Sequence, residues 1–590
     1  MSDLKKILFY VERSLHLPFL EPIEEYLSQR GLATTAFSAP GFFPGTAEIP
    51  QWGLPDSQIQ RLEHKAPFFA NPEDFDPDVT IVADACHFRI PQLRNVINVG
   101  HGMICKGAFY TDSSITRREN LSQMLLVPGP WHRSRLASNV AIPIKVTGFI
   151  KSDQLFGPAA QTRAKFCERL GIDPDKRIVL FAPTYNPELS AMHCVAEGIR
   201  KVADQDTVLL IKLHNMTDAR FKDLYSNIAS ANPNIFYLTD ADYSGMMHAA
   251  DLMISDVSSI FIEFLLLDKP VVLFNNPRIK EFPYYNAEDI EYKTRDAAVQ
   301  VASLDELLRA VRTELAHPAK RSAIRQRYAM ALDHGRDGRS AERAGQAILE
   351  WAHDDSRPEL TVALLEPEHA EREEIERDLA ELKKAPWGLQ IGVFGGREKI
   401  EGIERHVMGK FDLPALRDFL RSATTKRVVA ICGGLRMPRN WPKWLENHFH
   451  WNPKVGAIKA LTDPLLADQC MRQLSLTNRT FTDQDALSFG LLVSVIGQSA
   501  PAKHLPSECI MLDANLAKDI PEALPVSGPE EFITAVGLVA AVRGKETRLA
   551  FDCYMPPFDC REKLLRRMQA LRKQGNTAEA ARIAEKLTSF

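Results

Sequence analysis

The side chain best suited to proton transfer is a histidine flanked by two glycines. His101 stands between Gly100 and Gly102, directly after the short run Val96–Val99, which is mostly apolar and typical of a β-strand. Glycines at the carboxyl end of a strand let the backbone approach a ligand closely, and an imidazole with a pKa of roughly 6.5 can act as a general base. The alternative interpretation is a glycine-rich turn that carries a surface histidine and a surface lysine, Lys106.

A second histidine also follows a predicted strand. His214 comes shortly after the apolar run Val208–Ile211. A lone histidine at such a place is more often a hydrogen-bonded structural residue than a ligand. Its position in the second half of the chain matches that of His101 in the first half, which predicts that both histidines face one crevice.

Polar residues mark the predicted start of a helix at Ser255–Ser259. Hydroxyls beside exposed backbone amides at the positive end of a helix favour a phosphate or diphosphate. An ordinary helix cap is the alternative, but a cap needs only one such residue. The segment therefore predicts a diphosphate site that includes Asp256, Ser258 and Ser259.

Two further residues are weaker candidates for the same site. Thr184 lies in the polar loop after the strand-like run Ile178–Phe181 and has a hydroxyl that could donate to a phosphate. Glu263, one helical turn beyond Ser259, could accept hydrogen bonds from ribose hydroxyls, although a helix-surface glutamate is the commoner case.

Length and composition indicate several globular units that position these residues. A chain of 590 residues is too long for one core, and 45% hydrophobic with 25% charged residues is close to the globular average. A formal net charge of −4 excludes a chain-wide nucleic-acid footprint. The nine cysteines form no CxxC pair, so a disulfide framework or zinc ribbon is not predicted and a cytoplasmic setting fits best. No run approaches the ~20 apolar residues of a membrane span.

Short apolar runs alternate with helical spacers along most of the chain, which predicts α/β domains with mostly parallel sheets. Residues 354–384 are dense in Glu and Arg, with Ile375, Leu379 and Leu382 on one helical face, and are interpreted as a linker with a solvated helix. The predicted units are an N-terminal α/β domain at 1–150, a second at 151–353, the acidic helical linker at 354–385, a third α/β domain at 386–555 and a helical hairpin at 556–590.

Six short motifs, taken in order, resemble the family of CDP-glycerol glycerophosphotransferases, which build teichoic acids and related capsule polymers. The resemblance covers about residues 95–350. Its motifs are His101-Gly102 with Lys106, Val146-Thr147-Gly148 with Asp153, Ala182-Pro183-Thr184, Leu213-His214, Ser255–Ser259 with Lys269-Pro270, and Asp337–Ser340. Asn215 departs from the family pattern, which usually has proline after the histidine.

The resemblance implies a GT-B-like pair of Rossmann-like domains, with the acceptor on the first and the nucleotide donor on the second. It implies transfer of glycerol phosphate, or a similar polyol phosphate, from a CDP-activated donor to a hydroxyl of a cell-surface glycan or polymer. His101 would be the base, and His214 with Ser258, Ser259 and the helix amides would hold the diphosphate, with Lys106 as a further residue of the donor site. No metal, cofactor or nucleic acid is expected.

Other functions stay open at this point. A GT-B glycosyltransferase that uses a CMP- or UDP-sugar would need the same scaffold, and a nucleotide-sugar epimerase with two Rossmann domains also uses crevice histidines. A polymer-binding module with a decayed site is the non-enzymatic alternative. The base of the bound nucleotide, and whether phosphate travels with the transferred group, would discriminate among the enzymes.

The C-terminal region offers two fainter signals. The third domain resembles the central part of GT-A glycosyltransferases, but Cys432–Leu435 replaces their metal-binding DxD, so an acceptor-binding or scaffolding role is expected, with an unrelated α/β domain as the alternative. The hairpin is basic from Arg561 to Lys573. It is interpreted as packing on the body, and peripheral contact with anionic lipid at the inner membrane surface is the alternative.

Overall fold

In a computed structural model, the part of the chain that the structure describes folds around three β-sheets. The described residues run from 4 to 584 with gaps at 46–50, 85–92, 94, 104–115, 117–118, 138–139, 141, 159, 187–188, 215, 240–241, 283–284, 354–358, 384, 386, 404, 438–440, 453, 463–498, 502–506, 556–567, 569–580 and 582. Within these residues, none of the helices has the length and apolar character needed to cross a membrane.

The first sheet contains seven parallel strands in the order β3-β2-β1-β4-β5-β6-β7. The strands are β1 Lys6–Tyr10, β2 Thr34–Ser38, β3 Phe68–Phe69, β4 Val79–Val82, β5 Val96–Asn98, β6 Met124–Val127 and β7 Ile144–Val146. Its α-helices are Leu17–Gln29, Asp56–Glu63 and Pro130–Leu136. The inner strands are buried on both faces, which explains why they are short continuous apolar runs.

The second sheet contains six parallel strands in the order β10-β9-β8-β11-β12-β13. The strands are β8 Arg177–Phe181, β9 Thr207–Ile211, β10 Ile235–Tyr237, β11 Leu252–Ser255, β12 Val271–Phe274 and β13 Val299–Val301. Its α-helices are Asp153–Phe156, Arg163–Leu170, Met192–Val195, Ala219–Ser230, Tyr243–Ala249, Ile260–Leu265, Ile290–Lys293, Leu304–Ala316, Ser322–Leu332 and Ser340–His353.

The last helix of the second domain returns to the first domain. Helix Ser340–His353 packs on helix Leu17–Gln29, and Gly345 permits the close approach because a Cβ there would lie 2.5 Å from the Tyr26 ring. At the start of the returning helix, the carboxylate of Asp153 accepts the backbone N–H groups of Ser340 and Ala341, at 2.9 and 2.8 Å. These contacts fix the relative placement of the two sheets.

The third sheet is mixed and contains eight strands in the order β16-β15-β14-β17-β20-β18-β21-β19. The strands are β14 Glu359–Leu365, β15 Gly388–Phe394, β16 Arg405–Val407, β17 Arg427–Cys432, β18 Val455–Leu461, β19 Ser499–Pro501, β20 Cys509–Asp513 and β21 Glu546–Tyr554. Strand β20 is antiparallel to both of its neighbours, whereas β14 to β17 are parallel. Its α-helices are Arg372–Leu382, Leu413–Arg421, Trp441–Trp451, Ala514–Ala517, Pro529–Val536 and Val539–Val542.

The prediction of a linker at 354–385 needs correction, because much of this segment belongs to the third domain. Strand β14 pairs with β15 and β17 inside the sheet. The helix expected from Ile375, Leu379 and Leu382 does form, as Arg372–Leu382, but it buries those three side chains in the core instead of bridging domains through solvent. Glu373, Glu374 and Glu376 cover its exposed face, whereas Asp378 and Glu381 are buried, so charge density alone misled the interpretation. Most of the predicted hairpin at 556–590 lies outside the described residues.

Candidate active site

The carboxyl ends of the first two sheets meet at a cleft of about 390 Å³. Its lining residues come mainly from loops that follow β4, β5, β8, β9 and β11, as expected for ligand sites of parallel sheets. From the first domain they are Ala83, Asp84, Asn98, Gly100, His101, Gly102, Met103, Glu119 and Leu125; from the second they are Thr184, Tyr185, Asn186, Leu189, His214, Val257, Ser258, Ser259, Phe282, Asp289, Glu291 and Tyr292.

His101 lies on the first-domain wall of the cleft. The flanking Gly100 and Gly102 have φ values of +69° and +106°, a region that favours glycine, so the turn depends on both. The Nδ1 atom lies 2.8 Å from the carbonyl oxygen of Ala83. Because a carbonyl only accepts, Nδ1 carries the proton and Nε2 of the neutral ring is left as the basic nitrogen. The side chain is 32% exposed, so a substrate can reach it.

Two residues that the sequence analysis missed support this imidazole. The His16 ring is fully buried and stacks on His101 with centroids 4.9 Å apart. Burial lowers the pKa of His16 well below its usual value, and His101 and Arg13 lower it further, so His16 is neutral. Asp84 has a carboxylate oxygen 3.9 Å from Nδ1 of His101 and pairs with Arg13 at 2.6 Å. These contacts join distant segments and leave no local sequence signal.

The same three residues form a cluster that could hold a metal ion, because ligand atoms of His16, Asp84 and His101 lie within 4.8 Å of one another. The guanidinium of Arg13 already neutralises Asp84, and the Ala83 carbonyl holds Nδ1 of His101. The cluster is therefore better explained as support for the imidazole than as a ligand set. Metal-independent chemistry stays a prediction.

His214 lies on the opposite, second-domain wall. Its Nδ1 accepts the backbone N–H of Met216 at 3.1 Å, so Nε2 carries the proton and can donate. Burial lowers the pKa of His214, and Lys212 and Lys222 lower it further, which favours this neutral donor form. The ring stacks on Tyr185 with centroids 4.7 Å apart. Asn215 lies outside the described residues.

Asp256 lies beneath the cleft surface instead of facing a ligand. Its fully buried carboxylate accepts the backbone N–H groups of Thr184, Ala191, Val257 and Ser258, at 2.7–3.2 Å. Burial raises its pKa to about 6, against the lowering effect of these hydrogen bonds. The structure thus gives Asp256 the role of fixing two loops, whereas the sequence analysis assigned it to direct diphosphate contact.

The hydroxyl residues predicted for the donor site do reach the cleft. Ser258, Ser259 and Thr184 all line it, on the same wall as His214. Ser259 precedes helix Ile260–Leu265 and its side chain makes no capping hydrogen bond to that helix, so a simple capping role does not explain it. Lys106 lies outside the described residues, so its predicted contact stays a prediction.

Glu263 does not join these residues. Its carboxylate is buried and pairs with Lys151 at 2.9 Å, away from the residues that line the cleft. A buried carboxylate needs such a cation, and this pairing argues against the predicted ribose contact. Two other buried carboxylates, Asp289 and Glu291, line the second-domain wall instead. They follow no strand directly, which is why the sequence analysis passed over them.

Two parallel Rossmann-like sheets with their carboxyl ends facing one cleft define a GT-B-like architecture, as the family resemblance implied. Residues 97–350 match the model of the family described as CDP-Glycerol:Poly(glycerophosphate) glycerophosphotransferase. This match confirms the resemblance over the region that holds both histidines and the Ser258-Ser259 pair.

Curated relatives match a short part of the chain. The teichoic acid glycerol-phosphate primase of Bacillus subtilis (strain 168) is 28% identical over 117 residues, which are 19% of this chain and 29% of that protein. The teichoic acid poly(glycerol phosphate) polymerase of Bacillus spizizenii is 24% identical over 123 residues, again 19% and 29%. The chain thus spans less than a third of the length of these relatives.

Solved structures with a similar course of the chain include the wall teichoic acid polymerase TagF, with a TM-score of 0.43 and 16% identity over 60% of this chain and 90% of that chain. A putative UDP-N-acetylglucosamine 2-epimerase from Listeria monocytogenes has a TM-score of 0.43 and 14% identity, over 60% and 98%.

Proposed function

We propose that the chain transfers glycerol phosphate, or a similar polyol phosphate, from a CDP-activated donor to a hydroxyl of a cell-surface glycan or polymer. The observation that carries the proposal is the placement of His101 and His214 on opposite walls of one cleft inside the family match. One wall offers a basic Nε2, and the other offers an N–H donor beside serine hydroxyls. Transfer of a phosphoryl group to a hydroxyl uses a base that takes the proton of the acceptor and donors that stabilise the leaving group.

In the proposed reaction, the acceptor hydroxyl oxygen attacks the phosphorus next to the polyol, and its proton moves to Nε2 of His101. A new P–O bond forms to the acceptor while the bond from that phosphorus to the bridging oxygen breaks, and CMP leaves. The negative charge that develops on CMP is stabilised by Nε2–H of His214 and the hydroxyls of Ser258 and Ser259. Fixed donors of this kind stabilise a leaving group without a metal ion.

Other cleft residues suit the rest of the donor. Tyr185 is 39% exposed and presents a ring face beside His214, which fits stacking against the nucleobase. The carboxylates of Asp289 and Glu291 can accept hydrogen bonds from ribose or glycerol hydroxyls, the role that Glu263 does not fill. A cytoplasmic location also belongs to the proposal and rests on the sequence alone, and peripheral contact of the C-terminal hairpin with the inner membrane surface stays the alternative to packing on the body.

A binding screen tests the proposal first. The purified chain is titrated calorimetrically with CDP-glycerol, CDP, CMP, UDP and GDP without added metal, and transfer of radiolabelled glycerol phosphate to a glycerol-phosphate oligomer is then measured. Selective binding of CDP and CDP-glycerol, followed by transfer, is expected. Selective binding of UDP would instead favour a sugar transferase or an epimerase, and binding of none of the five would contradict the proposal.

A further inference from the structure

A lysine of the third domain is buried against the first domain. Lys443, in helix Trp441–Trp451, donates to the backbone carbonyl of Ser122 and, at 3.1 Å, to Oε1 of Gln123. Its side chain is 7% exposed, and burial lowers its pKa well below the usual value for lysine. Burying an amine is costly unless acceptors compensate, so these contacts define a specific interdomain junction and not an incidental one.

The segment that receives Lys443 is tied to the first sheet. The backbone N–H of Ser122 donates to the carbonyl of Glu119 at 3.1 Å, which closes a short 3₁₀ turn. The backbone N–H of Gln123 donates to the carbonyl of Val96, the first residue of β5, at 2.7 Å. The two residues that accept hydrogen bonds from Lys443 are therefore held by Glu119, which lines the cleft, and by strand β5, which leads to the loop of His101.

From this turn, hydrogen bonds continue to the loop that carries Gly100 and His101. Nδ2 of Asn98 donates to the carboxylate of Glu119 at 2.8 Å, and Oδ1 of Asn98 accepts the backbone N–H of Gly100 at 2.9 Å. Gly100 immediately precedes His101, and Asn98 and Glu119 are buried residues of the cleft wall. A continuous set of contacts thus joins the third domain to the loop that carries the proposed base.

We infer that Lys443 is a positioning residue, through which the third domain supports the first-domain wall of the cleft and the placement of His101. The inference gives the third domain a role in acceptor-side catalysis that its missing DxD left open. The effect on catalysis rests on the proposed function, whereas the support of the loop does not. Both parts can therefore be measured separately.

The test compares Lys443→Met with Lys454→Met in the full chain. Methionine keeps most of the apolar length of lysine and removes the donors, and Lys454 is an exposed lysine of the same domain. Hydrogen exchange is followed in peptides that cover 96–102 and 119–123, with 207–213 in the second sheet as the internal reference. Donor affinity and acceptor-dependent turnover are measured on the same preparations.

For Lys443→Met we expect at least about tenfold faster exchange in 96–102 and 119–123, unchanged exchange in 207–213, CDP-glycerol affinity within about twofold, and turnover lowered at least about tenfold. Lys454→Met should behave as wild type. Unchanged exchange and turnover in Lys443→Met would overturn the inference, and so would a uniform loss that includes donor affinity and the reference peptide.

A second variant covers the case in which Lys443→Met does not fold. Gln123→Leu removes one acceptor of Lys443 from the other side of the junction, and we expect a smaller change in the same peptides with donor affinity retained. No change there would also overturn the inference. Failure of the proposed function looks different, because wild-type protein would then neither bind CDP-glycerol nor transfer from it, while the exchange data would still test Lys443.

Discussion

The imidazole rings of His16 and His101 stack at 4.9 Å with an interplanar angle of 34°, although one ring is sealed in the core and the other opens to the cleft. The neutral His16 ring forms one side of the site of His101, and the Ala83 carbonyl fixes its Nδ1. Together they hold the ring in the tautomer with a basic Nε2. A general base gains from such fixed orientation because it need not reorganise when the acceptor binds.

Replacement of the proposed base should separate binding from chemistry. For His101→Ala we expect CDP-glycerol affinity within about twofold of wild type and turnover lower by about 10²-fold or more, the usual scale for a lost general base. Calorimetry and single-turnover transfer provide the two readings. His64→Ala, an exposed histidine of the same domain, is the matched control. Near-normal turnover in a folded His101→Ala protein would remove His101 from the mechanism.

Substitutions on the second-domain wall of the cleft should weaken binding of the donor. His214→Ala and Ser258→Ala are each expected to weaken CDP-glycerol binding by about tenfold, because each removes a donor to a charged phosphate oxygen. The affinity is read by calorimetry, and Ser230→Ala on an exposed helix face serves as the control. Unchanged affinity in both variants would refute the diphosphate site.

Much of the fold could be predicted from the sequence, because strands that are buried on both faces of a sheet are short, continuous apolar runs. The runs Met124–Val127 and Leu252–Ile254 are continuous and apolar, and they correspond to β6 and β11. By contrast, β2 is the largely polar sequence Thr34–Ser38, which has a weak local signal for a strand. Strand β14 does contain the strand-like run Leu360–Leu365, but the sequence analysis passed over it because the surrounding segment is acidic.

Residues of the candidate site could be predicted only where a reactive side chain lies in the loop that follows a predicted strand. His101 and His214 come after strands of the two facing sheets, so their convergence on one cleft could be expected from topology. His16 and Glu119 enter through contacts between distant segments, which a single sequence does not encode locally. The ribose contact predicted for Glu263 was wrong for a different reason. Helical spacing alone does not indicate which face of a short helix is buried, and Glu263 lies on the buried face, where it pairs with Lys151.

The corrected role of Glu263 can be tested through stability. Glu263→Gln should lower the free energy of unfolding by about 1–3 kcal/mol, because it leaves the Lys151 ammonium without its carboxylate partner. Its CDP-glycerol affinity should stay within about twofold of wild type. Chemical denaturation and calorimetry give the two values, with Glu168→Gln on an exposed helix face as control. A tenfold loss of affinity with unchanged stability would restore the ribose contact.

The junction between the two sheets should respond to pH through Asp333. Its buried carboxylate accepts the backbone N–H of Phe149 at 2.7 Å and the hydroxyl of Ser152 at 2.8 Å, and burial raises its pKa from 3.8 to about 7. A carboxyl whose pKa is raised by folding stabilises the folded state fully below pH 3.8, and this contribution is lost as the pH rises through about 7. Its full size is at most about 4 kcal/mol.

Other buried groups titrate in the same range, and His132, whose pKa burial lowers to about 4, has the opposite effect, so the pH dependence of wild type alone does not isolate Asp333. The difference between wild type and Asp333→Asn does, because asparagine keeps an acceptor for Phe149 and cannot ionise. We expect the stability of wild type relative to this variant to fall by a few kcal/mol between pH 4 and pH 8, as measured by urea denaturation. Asp206→Asn, an exposed control, should give a small and nearly constant difference. If the curves of wild type and Asp333→Asn run parallel, the carboxyl does not titrate in this window and the junction is not sensitive to pH through this residue.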